Sequence, residues 1–247
     1  IISGHYCGQK RYCRGTDPYM KKLLTIFLLL LLFPTASVTA ESPELTLSPE
    51  KILTRVDTIR APGSDFIFTV TADVNNGEVM SEYTVKVNNS TKSLVLYTKP
   101  VKNKGRVILL DDRNMWIYIP GTSRAMRISP QQQLVGAASN ADISRVVFNI
   151  DYRPLSAVTK KEHAREVIEL ELQAKEASAP YRKVVLIVDK HSFQPIKADF
   201  YALSGKKLKS IDYLEYAPVL GEVRPVKLVI SDSVNTSKTT TLTYSHF

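Results

Sequence analysis

The chain has 247 residues, of which 33 are Lys or Arg and 24 are Asp or Glu, so its formal net charge is +9. A nucleic-acid-binding protein is expected to concentrate basic and aromatic residues on an RNA- or DNA-binding module, and the sequence contains no such module. Both cysteines, Cys7 and Cys13, lie in the first 19 residues. The sequence that follows them therefore offers no disulfide, no thiolate metal site and no cysteine nucleophile.

The first segment with a clear pattern is an export signal. Met20-Lys21-Lys22 supplies positive charge, Leu23–Phe33 is an apolar run, and Ala36–Ala40 is rich in small residues, which is the order found in secretory signal peptides. The apolar run is shorter than the ~20 residues that span a bilayer. We predict a signal peptide over residues 20–40, cleaved after Ala40, preceded by an upstream extension over residues 1–19 that is not native.

Residues 41–247 are predicted to form a single soluble domain. They hold 28 Lys and Arg against 23 Asp and Glu, a net charge of +5. This balance is compatible with loose attraction to anionic membrane surfaces. No cysteine stands at the predicted cleavage site, so nothing indicates a lipid-anchored protein.

An amphipathic helix is the first predicted element of this domain. It begins at Ser48-Pro49-Glu50, which supplies a capping residue, a proline at the first helical position and an acid in the first turn. Ala61-Pro62-Gly63 ends it. Its apolar residues recur at helical spacing, and they are Ile52, Leu53, Val56 and Ile59.

The rest of the domain is dominated by short strands, because apolar residues then alternate with a period of two and turn residues recur between the runs. About twelve antiparallel strands cannot stay flat, so they curl into a barrel or a deeply curved sheet whose interior helices or a ligand must fill. The fold class is therefore mainly β with a few helices. The predicted strands are Asp65–Val74, Val79–Val87, Ser93–Thr98, Arg106–Asp111, Met115–Ile119, Arg124–Ile128, Glu166–Ala174, Lys183–Asp189, Pro195–Tyr201, Lys207–Tyr213, Val223–Asp232 and Thr239–Ser245.

An insertion, Gln131–Phe148, separates the two runs of strands. We predict two short helices in it, one capped by Ser129 and the other by Asn140 or Asp142. Because the insertion is apolar but lacks strand alternation, it is interpreted as a lid over the sheet. The predicted lid residues are Leu134, Val135, Ile143 and Val147.

No catalytic, metal-binding or cofactor-binding motif is found, and the chain is not expected to be an enzyme. His163, His191 and His246 lie beside turns or the terminus without metal-like spacing. Asp111-Asp112 adjoins a hairpin turn, where such residues usually serve the turn. A lipid-modifying enzyme remains a weaker alternative, and it would require His163 or His191 to meet a carboxylate at the cavity mouth.

Apolar and aromatic side chains on the strands are the candidate ligand-binding residues. Taken singly, each is better explained by core packing against the opening helix than by contact with a ligand. Burial of hydrocarbon is worth roughly 0.8 kcal/mol per methylene, so an acyl-chain site needs no polar motif. The predicted cavity residues are Phe66, Phe68, Tyr83, Val85, Leu94, Leu96, Trp116 and Tyr118.

Three motifs resemble the LolA-like outer-membrane lipoprotein-sorting family. The first is the hairpin Asp111–Gly121, with Arg124, Arg127 and Ile128 behind it; the others are Phe193–Tyr201 with Ser204–Lys209, and Arg224-Pro225 leading into Val229–Asp232. The resemblance covers about residues 50–245 and implies an unclosed antiparallel half-barrel with helices across its concave face. Trp116 and Tyr118 match the family's aromatic hairpin positions. Arg124 and Arg127 match its basic positions and are candidate lid-latching residues.

The resemblance also implies a periplasmic carrier that binds lipid or lipoprotein acyl chains and helps to move them towards the outer membrane. Its partners would be an inner-membrane transporter and an outer-membrane acceptor, and a monomer is expected. The alternative is a periplasmic sensor or interaction module in which the same half-barrel binds a protein. A deep, closed-ended cavity favours the carrier, and an exposed apolar patch without depth favours the module.

Overall fold

The computed structural model describes residues 47–62, 65–89, 91–144 and 147–247. The predicted extension over residues 1–19, the signal peptide over residues 20–40 with its cleavage after Ala40, and the first residues of the predicted domain lie outside the described residues. Arg145 and Val146 of the predicted lid lie outside them as well.

The opening helix, α1 (Pro49–Arg60), forms where the sequence predicts it. The Ser48 side chain accepts a hydrogen bond from the backbone N–H of Lys51, and the Ala61 N–H donates to the carbonyl of Asp57. Both contacts satisfy backbone groups that a helix end leaves without partners. The buried face of α1 packs on the sheet and carries Ile52, Leu53, Val56, Asp57 and Ile59.

The main element is one antiparallel sheet of 13 strands in the order β6-β5-β4-β3-β2-β1-β15-β14-β13-β12-β11-β10-β9. Every neighbour follows in sequence except β1 and β15, which pair in the middle. The edge strands β6 and β9 do not pair with each other, so the sheet is unclosed. The first run is β1 (Phe66–Val74), β2 (Val79–Asn88), β3 (Lys92–Lys99), β4 (Val107–Asp111), β5 (Asn114–Tyr118) and β6 (Met126–Ile128). The second run is β9 (Tyr152–Glu162), β10 (Arg165–Ala174), β11 (Lys183–Asp189), β12 (Pro195–Tyr201), β13 (Lys207–Val219), β14 (Glu222–Asp232) and β15 (Thr239–Ser245).

The twelve predicted strands are all present, and β9 is an additional one. Its third residue is Pro154, and exposed apolar residues such as Leu155 break the alternation. Proline is confined to edge strands and bulges because it cannot donate to the ladder. The proline that hid β9 in the sequence is thus consistent with its position at the sheet edge.

The first predicted lid helix is wrong, because the segment forms a hairpin of β7 (Gln133–Val135) and β8 (Ala138–Ser139). Ser129 therefore caps no helix; its Oγ accepts a bond from the Gln131 N–H within a turn. At Gly136 a Cβ would lie 2.3 Å from Thr240 Oγ1. Only glycine allows the hairpin to approach the sheet so closely.

The second predicted lid helix is present as α2 (Asn140–Ser144), although its cap differs from the prediction. Ser139 precedes the helix, and the Asp142 carboxylate accepts bonds from the Ser139 N–H at 2.7 Å and Oγ at 2.8 Å. This is the reach-back half of a capping box. The core lies between the inner face of the sheet, α1 and the lid. No helix among the described residues is long and apolar enough to cross a membrane.

Candidate functional site

The two faces of the sheet decide which predicted cavity residues belong together. Directly paired residues of antiparallel strands share a face. Phe68 pairs with Val85, and Val70 pairs with Tyr83. Phe66, Phe68, Tyr83 and Val85 are all buried, so these four residues form one apolar surface on the inner face.

The other four predicted cavity residues lie on the opposite, outer face. Leu94 pairs with Leu109, and Leu109 with Trp116; in the next row, Leu96 pairs with Val107 and Val107 with Tyr118. Their neighbours take the inner positions instead, namely Val95, Tyr97, Ile108, Met115 and Ile117. Alternation cannot reveal the face where both faces of a strand are apolar, as in Leu94-Val95-Leu96-Tyr97. The prediction that these four line the same cavity as Phe66 is therefore corrected.

All four predicted lid residues pack against the core. Ile143 of α2 is only 1% exposed, and Leu134, Val135 and Val147 are partly buried against the same cluster. The lid thus presents its apolar residues to the inner face.

A groove, here called the mouth groove, lies between the hairpin and the ends of β2 and β3. It combines the predicted lid residues Leu134 and Val135 with the inner-face residues Tyr83 and Tyr97, and has a volume of about 410 Å³. The two tyrosine rings meet edge to face with centroids 4.9 Å apart, and burial raises the pKa of both hydroxyls. Lys102 and Arg106 also line it. Glu78, Ser81 and Asn103 line it too, so the groove combines two aromatic rings with a mostly polar lining that carries both signs of charge.

Deeper in the molecule, the space between the lid and the sheet is nearly filled. Two cavities of about 40 Å³ each lie there, one beside Phe66 and Phe68 and the other beside Val147 and Phe148. Each is close to the ~30 Å³ that one water occupies in the liquid. The described parts of the predicted lid therefore cover this part of the inner face with little space beneath them.

A buried ion pair ties the lid to the sheet. Lys209 of β13 points from the inner face and contacts both oxygens of the Asp142 carboxylate in α2. Both side chains are 6% exposed. Burial lowers the pKa of Lys209, and the Asp142 charge opposes that shift. The Lys209 ammonium also lies 4.7 Å and 5.0 Å from the ring centroids of Tyr181 and Phe200, so several contacts position it.

The far end of the lid is held by α1. The Asp57 carboxylate accepts hydrogen bonds of 2.7 Å from the backbone N–H groups of Phe148 and Asn149. Burial raises the pKa of Asp57, and Arg60 opposes the shift. The Arg60 guanidinium lies 4.0 Å from the centroid of the Phe148 ring, a distance typical of a cation–π contact.

The predicted latches, Arg124 and Arg127, are exposed and lie at β6. Arg127 donates to the Asn114 side chain. Within the part of the chain that the structure describes, no hydrogen bond or ion pair joins either arginine to the lid. The groups that do hold the lid are Lys209 and Asp57, so the predicted latching role of Arg124 and Arg127 is not supported by these contacts.

The histidines give little support to catalysis. His191 Nε2 lies 3.6 Å from Glu166 Oε2, but its side chain is 77% exposed. Lys190 also binds that carboxylate at 3.2 Å. Among the described residues, no group of three or more His, Cys, Asp or Glu could hold a metal ion.

Comparisons with known proteins show which family has this architecture. A crystal structure of a LolA superfamily protein from Nitrosomonas europaea is 31% identical, with a TM-score of 0.77, over 81% of this chain and 92% of that one. The chain belongs to the LolA superfamily. Residues 89–247 also match the model of a family described as uncharacterized protein. No curated protein matches the sequence.

Two other LolA-like structures share the fold at lower identity. A putative outer membrane lipoprotein-sorting protein domain from Vibrio parahaemolyticus is 23% identical, with a TM-score of 0.67, over 81% of this chain and 92% of that one. A DUF1329 family protein from Desulfovibrio piger is 18% identical, with a TM-score of 0.68, over 80% and 90% of the two chains.

The lid contacts of this LolA superfamily member were only partly accessible from sequence. Ser139–Asp142 has the S-x-x-D spacing of a capping box, which could have located α2. Lys209 and Asp142 are 67 positions apart, and no local pattern links them. Arg60 and Asp57 lie on the helix that the sequence predicts. A basic residue near a helix C-terminus normally indicates only a favourable interaction with the helix dipole, so Arg60 gave no signal of a contact with the lid.

Proposed function

We propose that the protein is a periplasmic carrier that holds the acyl chains of a lipid or lipoprotein between the inner face of the sheet and the lid, and helps to move them towards the outer membrane. The observation that carries this proposal is the pairing of an apolar inner face with a separate covering segment. That segment contributes apolar side chains, yet polar groups tie it down.

The covering residues and the cargo have the same chemistry. Ile143 and Leu134 bury apolar surface against the sheet when no cargo is bound. An acyl chain of ~16 carbons gains on the order of 10 kcal/mol when it is fully removed from water. Cargo can therefore replace the lid on the inner face, and the lid covers that face again after release.

The polar ties suit a segment that must be released. A buried ion pair gains little net stability, because the cost of removing both charges from water offsets their attraction. When the lid moves, Lys209 and Asp142 both regain water, so opening is less costly than breaking an apolar contact of equal size. The hairpin is anchored by hydrogen bonds as well, such as the 2.8 Å bond from the Ala137 N–H to Thr240 Oγ1.

The mouth groove is the proposed point of entry for the acyl chain. Its volume of about 410 Å³ lies within the ~300–1,000 Å³ range of ligand sites, whereas the inner cavities lie far below it. The groove leads from solvent to Tyr83 beneath Leu134 and Val135. Lys102 and Arg106 are placed to meet an anionic headgroup there.

The predicted export signal and membership of the LolA superfamily support a periplasmic location. We place the mature protein in the periplasm as a monomer. An inner-membrane transporter would supply the cargo and an outer-membrane acceptor would receive it.

Native mass spectrometry of the protein purified from a bacterial periplasm tests the carrier function, followed by extraction and lipid analysis. Stoichiometric phospholipid or lipoprotein would support it and identify the cargo class. A cargo-free protein that also fails to take up a fluorescent acyl probe would contradict it, and would favour a sensor or interaction module.

The lid is tested by placing a charge on its apolar side. Leu134→Asp should weaken uptake of the acyl probe more than it lowers the free energy of unfolding. Leu203→Asp is the matched control, because Leu203 is 80% exposed and should change neither quantity. Equal losses of binding and stability in Leu134→Asp would show that Leu134 serves packing alone.

A further inference from the structure

The outer face of strands β3 to β5 carries an apolar patch that the carrier function does not use. Six side chains form it in two adjacent rows. Leu109 and Tyr118 are 41% and 42% exposed, and the other four are partly exposed. The residues of this outer patch are Leu94, Leu96, Val107, Leu109, Trp116 and Tyr118.

Positive charge flanks the outer patch in the same row of paired residues. Lys86 pairs with Leu94 on one side, and Arg127 pairs with Trp116 on the other. Both are exposed. Neither forms an ion pair within the described ranges, so both charges are available to a partner.

The net charge of the chain is also concentrated in this part of the sheet. Residues 79–128 contain nine Lys and Arg but three Asp and Glu, a net charge of +6. The remaining residues of 41–247 contain 19 Lys and Arg and 20 Asp and Glu, a net charge of −1. Charge asymmetry of this kind indicates an interaction surface.

The chemistry of the patch fits an anionic membrane. Trp and Tyr concentrate at the membrane–water interface, where an apolar ring with a polar group is best accommodated. Each Lys or Arg near an anionic leaflet adds about 1 kcal/mol of attraction. A second copy of the chain is a poor occupant, because it would bring one positively charged region against another.

We propose that the outer patch docks the protein on an anionic phospholipid surface, with Trp116 and Tyr118 at the interface and Lys86 and Arg127 beside the headgroups. The outer patch and the lid lie on opposite faces of the sheet, so the lid stays free to move while the protein is docked. The proposal does not depend on the carrier function and holds even if the inner face takes no lipid.

The fluorescence of a tryptophan in the outer patch can report on this docking. Trp116 is the single tryptophan of the chain, so its fluorescence reports on the outer patch alone. Protein purified from a bacterial periplasm is mixed with phosphatidylglycerol-containing vesicles or with phosphatidylcholine vesicles. We expect co-sedimentation and a blue shift of Trp116 emission with the anionic vesicles only, both weakened by salt because screening shortens the range of the attraction.

Two charge-reversal variants test whether vesicle binding depends on the outer patch or on the rest of the surface. Lys86→Glu should weaken binding to anionic vesicles on the order of tenfold. Lys197→Glu is the control, because Lys197 lies on the outer face of the other half of the sheet; it should leave binding unchanged.

Four results would overturn the proposal. One is the absence of co-sedimentation with anionic vesicles, and a second is equal binding to both kinds of vesicle. A third is equal weakening by the two substitutions, which would reflect net charge alone. The fourth is a blue shift that appears only with an added acidic protein. Loss of acyl-probe uptake, in contrast, would bear on the carrier function and leave docking intact.

Discussion

The two halves of the sheet have similar inner faces and different outer faces. On both sides of the β1–β15 pair, the inner face is apolar, with Val85 and Ile108 in one half and Leu170 and Leu186 in the other. The outer face of β9 to β14 carries ion pairs between neighbouring strands, whereas the outer face of β3 to β5 carries the outer patch. Among the described residues, six such ion pairs are Lys160–Glu169, Arg165–Asp189, Lys183–Glu171, Lys197–Asp212, Lys207–Asp199 and Lys227–Glu215.

This difference distinguishes outer-face residues that the fold requires from outer-face residues that are available for binding. A half-buried antiparallel sheet needs one apolar face and tolerates polar residues on the other, as β9 to β14 illustrate. Among the described residues of the first half, two ion pairs join neighbouring strands, Lys92–Asp111 and Lys99–Glu82, and each involves a strand end. Its outer patch therefore lies outside the needs of the fold and points to binding.

The largest expected effect contrasts the buried ion pair with those on the outer face. Asp142→Ala leaves the Lys209 ammonium buried without its partner, which should cost about 3–5 kcal/mol of unfolding free energy unless the lid releases it. Urea unfolding measures the loss, and faster acyl-probe uptake would report lid release. The double variant Lys209→Met, Asp142→Leu should regain most of the stability. A single variant as stable as the wild type with unchanged uptake would contradict a role of the Lys209–Asp142 pair in holding the lid.

The next effect compares two leucines that are adjacent in β4 but face opposite ways. Leu110 is 1% exposed and Leu109 is 41% exposed. Leu110→Ala should lower the unfolding free energy by about 2–5 kcal/mol through cavity formation, and Leu109→Ala by less than about 1 kcal/mol. Similar losses in the two variants would mean that the outer patch is part of the core.

The smallest effect concerns the ion pairs of the second half. Glu169→Gln removes the charge opposite Lys160, whose Nζ lies 2.6 Å from Glu169 Oε2 at the exposed surface. Exposed pairs contribute about 0–1 kcal/mol, so the change in unfolding free energy should stay within that range and shrink in salt. A loss several times larger would show that these pairs hold the sheet together.

Much of the fold could be predicted because its signals are local. The cap at Ser48 and the helical spacing of Ile52, Leu53 and Val56 located α1, and alternation with turn residues located twelve strands. The hairpin β7–β8 escaped prediction because strands of three and two residues are too short to show a period. Strand β9 escaped because Pro154 and exposed Leu155 remove the usual strand pattern.

The site could be predicted only in part, since it depends on contacts between distant segments. Phe66, Phe68, Tyr83 and Val85 and the four predicted lid residues could be expected to pack together because they are apolar residues in patterned segments, and their role in binding stays a prediction. Trp116 and Tyr118 were assigned to the wrong face because Met115 and Ile117, which alternate with them, are apolar too. The pairing that decides their face, such as Leu109 with Trp116, is absent from local sequence.

The pairing of β1 with β15 has a consequence for assembly. Each half of the sheet is a meander of sequential strands, and Thr69 meets Ser245 only where the two halves join. Contacts between such distant parts of a chain form slowly, because the long loop must close first. We therefore expect the middle of the sheet to be completed last, after β15 has been synthesised. Such an order of folding is compatible with the export that we propose, in which the polypeptide crosses a membrane before it acquires its structure.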